Sequence, residues 1–268
     1  MLTHVGTIEL SLFKGKLSDI KGNWMKLFVD IGNSCAKWQF EQDNIQQVCA
    51  YQSENFNANL TAVWQNLPRP TEIWVANVAG VAIAEQLSAW TQQYWQLTPQ
   101  FVRSRAYAAG VYNGYIQPEI LGVDRWLAII AAYQQYGAVC VIDCGTAVTV
   151  DIVDAQGKHQ GGMISAGLET TRKALLKATY ALGKIPQQTD LKTAPLAATE
   201  THQGIMLGSL YALVGLIETV FQRVQLQHPS CKLVLTGGSV PEIESLLSVP
   251  YQYQPNLVLQ GLTIISGE

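Results

Sequence analysis

The sequence predicts a mixed-sheet α/β fold made twice in one chain, and three observations predict it. An apolar strand running into an Asp-x-Gly turn occurs at Leu27-Phe28-Val29-Asp30-Ile31-Gly32-Asn33-Ser34 and again at Val139-Cys140-Val141-Ile142-Asp143-Cys144-Gly145-Thr146-Ala147. Each turn is followed at once by a second strand-like run, Cys35 to Phe40 and Val148 to Val153, so each half opens with a β-hairpin. Behind each hairpin the pattern changes to strands alternating with helical stretches, with helices left to cover the sheet faces.

The elements follow in order. Ile73 to Val78 reads as a strand, and 79–97 as a helix with Ile83, Leu87, Trp90, Tyr94 and Leu97 on one face. Phe101-Val102 is a short strand, and Trp126 to Tyr136 an apolar helix entered directly from Gly122-Val123-Asp124-Arg125. The second hairpin continues through a turn at Asp154-Ala155-Gln156-Gly157 into a third run, Lys158 to Ser165. Leu168 to Leu182 is helical, and the polar, proline-bearing stretch 183–200 is a loop. Residues 204–226 form a long helix in which Leu210, Leu213, Val214, Ile217, Phe221 and Val224 recur at helical spacing. Lys232 to Thr236 is a strand ending at Gly237-Gly238, and Pro241 to Leu247 a short helix. The expected domains are 25–136 and 137–268, with the helix ending near Tyr136 as the seam. Residues 1–24 lack a continuous apolar run and a small-residue cleavage site, so they read as an extension or tag outside the fold.

Composition narrows the function. The 268 residues are 48% hydrophobic and 14% charged, which suits packed cores and excludes a disordered chain. A net charge of -3, with 17 basic residues spread thinly, offers no phosphate-backbone footprint, so nucleic acid is not expected as a ligand. The long helix carries Ser209, Glu218, Gln222 and Arg223, which describes an amphipathic helix on a soluble core rather than a membrane span. Cys35, Cys49, Cys140, Cys144 and Cys231 make an odd set without small-scaffold spacing and read as free thiols in a reducing cytoplasm. Cys140 and Cys144 have no second pair to complete a zinc site. His4, His159, His202 and His228 are scattered, with no carboxylate-and-nucleophile setting. P-loop and dinucleotide glycine motifs do not occur.

The paired turns carry the chemistry. Glycine lets the backbone approach a ligand, successive turn N–H groups form an anion-binding concavity, and a strand-end aspartate holds a metal ion or its waters. Two facing copies can grip a triphosphate from both sides. Asp and Gly are also ordinary turn residues, and one copy alone would mean no more than that. Asp124, just ahead of an apolar helix, reads equally as an N-cap of a helix starting at Arg125 or as a partly buried acid suited to proton transfer.

Taken together, these motifs resemble the actin-like ATPase superfamily (actin, hexokinase, heat-shock chaperones), and within it type III pantothenate kinase. The resemblance rests on Asp30-Ile31-Gly32-Asn33-Ser34 with Lys37, on Asn113-Gly114-Tyr115 followed by Leu121-Gly122-Val123-Asp124-Arg125-Trp126, on Asp143 to Asp151 with Gly161 to Gly167, and on Leu235-Thr236-Gly237-Gly238. The chain departs at Ala166, where the family has proline. The resemblance implies two ribonuclease-H-like domains with mixed sheets flanked by helices and an ATP cleft between them. It also implies phosphorylation of pantothenate to 4′-phosphopantothenate, the opening step of coenzyme A synthesis.

It further implies site residues. Asp124 is the catalytic base, and Tyr115, Gly122, Val123, Asp124, Arg125 and Thr199 bind the acceptor, with Thr201 competing for the place of Thr199. Arg125 would bind a substrate carboxylate or stabilise developing charge, and Tyr115 either lines this site or is a half-buried loop aromatic. ATP falls to Asp30, Ile31, Gly32, Asn33, Ser34, Cys35, Ala36, Lys37, Thr146, Gly237 and Gly238. Asp30 holds magnesium and Asp143 a monovalent cation, potassium or ammonium. A cytoplasmic homodimer is implied, without nucleic acid or membrane. The alternatives are a nucleotide-binding regulator of the Bvg accessory factor type, or a kinase of this fold with another small alcohol acceptor.

Overall fold

The computed structural model describes residues 25–41, 47–50, 56–178 and 196–268, with the backbone alone for 47–50 and 57–60. The extension at 1–24, the end of the helix expected to reach Leu182, most of the loop at 183–200 and the Cys49 side chain lie outside what is described.

One sheet comprises β1 (Lys26–Ile31), β2 (Cys35–Phe40), β3 (Gln47–Ala50), β4 (Glu72–Asn77) and β5 (Gln100–Phe101), with α1 (Phe56–Trp64) and α2 (Val81–Trp95) between its strands in sequence. Its order is β3-β2-β1-β4-β5, antiparallel on the hairpin side of β1 and parallel on the other. A small hairpin, β6 (Tyr107–Ala108) and β7 (Val111–Tyr112), and the helix α3 (Val123–Tyr136) lead to the second sheet. That sheet has β8 (Val139–Cys144), β9 (Ala147–Val153) and β10 (His159–Ala166), then α4 (Leu168–Ala178), α5 (Thr201–Gln227), β11 (Lys232–Thr236), α6 (Val240–Ile243), β12 (Gln252–Tyr253) and α7 (Leu257–Ile265). Its order, β10-β9-β8-β11-β12, repeats the first sheet strand for strand, with the same senses of pairing. The duplication legible in the two Asp-x-Gly motifs is thus a duplication of the whole sheet.

Strand periodicity sorts the side chains into three cores. Leu27, Val29 and Ile31 of β1 face α1 and α2, in a core that also holds Trp38, Trp64, Trp90 and Trp95. Cys140, Ile142 and Cys144 of β8 face α5, whose Leu210, Leu213, Val214, Ile217, Phe221 and Val224 are all buried. The remaining faces look at each other. Phe28 of β1, with Val139 and Val141 of β8, shares a third core with α3 and α7. Asp30 has the parity of Phe28 and Asp143 that of Val141, so strand pleating alone aims both carboxylates into the space between the sheets. In α7, Gly261 lets the helices cross closely, because a Cβ there would collide with the Leu127 carbonyl of α3.

Two sequence expectations change in detail. The buried face of α2 is Ile83, Leu87, Trp90, Thr91 and Trp95, while Tyr94 is half exposed and Leu97 lies beyond the helix. The stripe follows a 3.6-residue period more closely than expected, and it is completed by Trp95 stacked 5.3 Å from Trp64. Helix α3 begins three residues early, with Gly122 as its N-cap, so Asp124 stands inside the first turn and is not the cap. By length and composition α5 could cross a membrane, yet its large apolar residues are spent on the second core.

Candidate active site

The two hairpin turns meet. Gly32 N–H donates to the Cys35 carbonyl at 3.0 Å in the first, and Gly145 N–H to the Ala147 carbonyl at 3.1 Å in the second. Across the gap, the Ser34 and Thr146 hydroxyls lie 3.0 Å apart in a direct hydrogen bond. Residues separated by 112 positions in sequence therefore form one rim, with Asn33, Ser34 and Thr146 all exposed on it.

Beneath the rim sits an acidic set. Asp30 is buried, and burial pushes its carboxyl up to about 7; Lys37 opposes that shift, while Asp124 and Asp143 add to it. Asp143 is pushed up to about 6 by burial, again against Lys37 and with help from Asp124 and Asp151. Asp124 is raised by burial, against the backbone N–H of Arg125 that its Oδ1 accepts at 2.8 Å. Three carboxylates that feel one another's charge share one space, and the Lys37 ammonium opposes the rise at both Asp30 and Asp143. Lys37 is there because it is the cross-strand partner of Asp30 in the β1–β2 register.

The walls are glycine-lined where backbone must come close. β11 pairs with β8 so that Thr236 lies beside Asp143, and the chain then turns at Gly237 with φ +96°. A Cβ on Gly237 would lie 2.5 Å from Asp143 Oδ1, while Gly238 is open on its far side. Gly167 N–H and the Thr170 hydroxyl both donate to the Thr146 carbonyl, at 3.1 and 2.7 Å, tying the start of α4 under the second turn. Gly237→Ala is expected to displace Asp143 and strain the turn by about 1–2 kcal/mol, lowering the melting temperature by several degrees. An unchanged melting temperature would mean that the turn accommodates a side chain at Gly237.

Not every residue expected from the sequence offers a side chain. Ile31 and Ala36 are buried in the first core and Val123 in the central one, so toward a ligand they present backbone. Thr199 and Thr201 are exposed at the start of α5, and among the described residues no hydrogen bond joins either to Asp124, Arg125 or Tyr115. Arg125 is itself buried and already engaged. Its Nε and Nη2 donate to both oxygens of Asp151 at 2.8 and 2.7 Å, and its Nη1 donates to the Tyr115 hydroxyl at 2.8 Å. His159, fully buried, completes the cluster at 2.9 Å from Asp151. The sequence reading did not single out Asp151 and saw His159 without a carboxylate. Asp151 stands on β9 opposite Val141 of β8, and its parity toward the central space was the available signal.

Known proteins bear on this arrangement. The type III pantothenate kinase family matches residues 26–223. A type III pantothenate kinase from Nitrosococcus oceani is 36% identical over 254 residues, covering 91% of this chain and 94% of the relative. Among solved structures, a protein described as a Baf-family transcriptional activator from Campylobacter jejuni superposes with a TM-score of 0.58 at 21% identity, covering 90% of this chain and 98% of that one. The activator of 2-hydroxyisocaproyl-CoA dehydratase from Clostridium difficile, with bound ADPNP, superposes with a TM-score of 0.50 at 10% identity, covering 91% and 95%. At such identities the structures speak for the fold alone, which is that of the actin-like ATPases. The extent and identity of the sequence match go further: this chain belongs to the type III pantothenate kinase family.

Proposed function

We propose that the protein transfers the γ-phosphoryl group of ATP to the primary hydroxyl of pantothenate, giving 4′-phosphopantothenate and ADP. The observation that carries this reading is the contact between Ser34 and Thr146 above Asp30, Asp124 and Asp143, two phosphate-binding turns closing over one acidic set.

The residues divide the work. Backbone N–H groups of Asn33, Ser34 and Thr146 and the hydroxyls of Ser34 and Thr146 hold phosphate oxygens, Gly32 lets the turn come close to them, and Lys37 reaches them as a point charge. Asp124 accepts the hydroxyl proton as the new O–P bond forms and the bond to the β-phosphate oxygen breaks, its electron pair leaving on ADP. Burial keeps Asp124 less acidic than an exposed aspartate, which suits it to hold that proton. Arg125 and Tyr115, beside Asp124, bind the acceptor, and the glycine turn at Gly237-Gly238 admits the nucleoside.

Hard oxygen ligands short of positive charge fit magnesium. Among the described residues no group of three or more His, Cys, Asp or Glu forms a cage. Asp30 would therefore share the ion with phosphate oxygens and water, as magnesium sites commonly do. The ion supplies charge neutralisation to the phosphates. Asp143 would hold a monovalent cation on the other turn. The family relationship supports a homodimer working in the cytoplasm, and Met163 and Ile164, exposed on the edge strand β10, give a partner apolar surface.

Incubation with ATP, magnesium, potassium and pantothenate should consume ATP only when pantothenate is present; ATP loss that ignores pantothenate would sink the reading. Lys37→Met removes the cation that lowers both Asp30 and Asp143. The acid limb of the rate profile should then move alkaline by about one unit, besides a lower kcat. A limb that stays in place would mean that these carboxylates do not govern turnover.

A further inference from the structure

We infer that Asp151 and His159 are positioning residues of the acceptor site, setting which donors of Arg125 are left for the carboxylate of the acceptor. The inference rests on the proposed reading of Arg125 as an acceptor-binding residue and adds the two groups that act through it.

A guanidinium has five N–H donors in a fixed plane. Asp151 takes two of them side-on, from Nε and Nη2, and the Tyr115 hydroxyl takes one from Nη1. Two remain, one each on Nη1 and Nη2, and the orientation of the plane decides where they point. Asp151 fixes that plane through a bidentate pair, the geometry in which arginine is most strongly oriented. His159 fixes Asp151 in turn. The Gly114 N–H donates to His159 Nδ1 at 3.4 Å, which leaves Nε2 as the nitrogen that donates to Asp151 Oδ1 at 2.9 Å. Tyr115 closes the ring of contacts, its side chain stacked on His159 at 5.9 Å and 12° and lying 5.6 Å from the Arg125 guanidinium.

The surroundings hold this cluster in one arrangement. A Cβ on Gly162 would lie 2.6 Å from Asp151 Oδ1 and would also collide with Arg125 Nη2. A Cβ on Gly114 would collide with the His159 carbonyl. The loop bearing Asn113, Gly114 and Tyr115 is pinned to the second sheet, with Tyr112 N–H donating to the Gly157 carbonyl at 2.8 Å and Tyr112 bridged to Lys158. A site at the seam thus takes Tyr115 and Arg125 from before the second hairpin and orients them with Asp151 and His159 from within it. Stability alone is a poor reason for such a pair, because apolar residues of the same volume would hold the fold as well as a buried ion pair does. Orientation of a ligand-binding guanidinium is a reason that apolar residues cannot meet.

Asp151→Asn in the full chain, assayed with pantothenate and with its uncharged primary amide, tests this. Wild type is expected to prefer pantothenate on the order of 10- to 100-fold in kcat/KM, the worth of a charged hydrogen bond to the carboxylate. In the variant the KM for pantothenate rises at least tenfold, the KM for ATP stays within about twofold, and the preference over the amide largely vanishes. An unaltered preference, with both acceptors losing in parallel or neither losing, overturns the proposal. Wild type that phosphorylates neither acceptor removes the reading of the site itself, a separate failure. If Asp151→Asn does not fold, His159→Leu should reduce the preference and His159→Gln, whose amide nitrogen donates from the place of Nε2, should retain it. Equal preference in wild type and both variants overturns the role of the pair.

Discussion

Asp124→Asn is expected to lower kcat by about 10²- to 10⁴-fold, the span over which a positioned proton acceptor acts. The asparagine keeps the shape of the first turn of α3, and its Oδ1 still accepts the Arg125 N–H that the carboxylate accepts at 2.8 Å. What it loses is the oxygen proposed to take the proton of the attacking hydroxyl. The fold should not suffer. Burial raises the Asp124 carboxyl, so the folded protein holds this proton more tightly than the unfolded chain does. The contribution to stability is complete below the ordinary carboxylate range and is lost as the pH climbs through the raised value. Above that value a neutral asparagine removes a buried charge, and the melting temperature of the variant should equal or exceed that of wild type. Retention of binding with loss of turnover would appear as near-normal KM values beside the fallen kcat. A kcat within twofold of wild type, in a variant that melts normally, would strip Asp124 of the role of base.

Much of this site was legible because strand pleating turns sequence parity into direction. Asp30 and Asp143 each end an apolar strand at matching positions, and a duplicated pattern implies a duplicated fold with equivalent turns. What parity cannot give is which sheet faces lie opposite one another. That depended on α7, the run Leu257-Val258-Leu259-Gln260-Gly261-Leu262-Thr263-Ile264-Ile265, which at nine residues is too short and too apolar to be told from a buried strand by pattern alone. The same helix crosses back to pack on β1 and β4 and so sets the spacing between the sheets. Asp124 was legible as an acid at the head of a helix, but its place inside the turn was not, because Gly122 at the N-cap has no side chain with which to mark it. Asp151 was hidden for another reason. An aspartate inside an apolar strand signals a buried partner, and that partner, Arg125, lies 26 residues away across the seam. His159 gave no sign at all, since its carboxylate neighbour exists only once β9 and β10 have paired.

Asp30→Asn should separate stability from activity most widely. Asp30 is raised from 3.8 to about 7, first by burial and then by Asp124 and Asp143, so between those values the folded state binds a proton that the unfolded chain has released. Stability from this group is therefore fully present below 3.8 and drains away as pH rises through about 7. At pH 8 the ligand-free wild type carries a buried carboxylate that costs up to roughly 4 kcal/mol at 1.36 kcal/mol per unit, an upper bound that local relaxation reduces. The asparagine variant escapes that cost and should melt several degrees higher at pH 8, with little difference from wild type near pH 4. Activity should move the other way. With Asp30 sharing magnesium with the phosphates as proposed, its loss removes several kcal/mol of transition-state charge stabilisation, a fall in kcat on the order of 10³-fold. ATP with magnesium should raise the melting temperature of wild type far more than that of the variant, because nucleotide and ion together relieve the charge that the empty fold must bury. Both readings come from one carboxylate, so they must change together. A variant that gains stability but keeps magnesium-dependent turnover would place the ion elsewhere in the cleft. One that loses stability at pH 8 would show that Lys37, the counter-charge opposite Asp30 in the β1–β2 register, outweighs burial at this position.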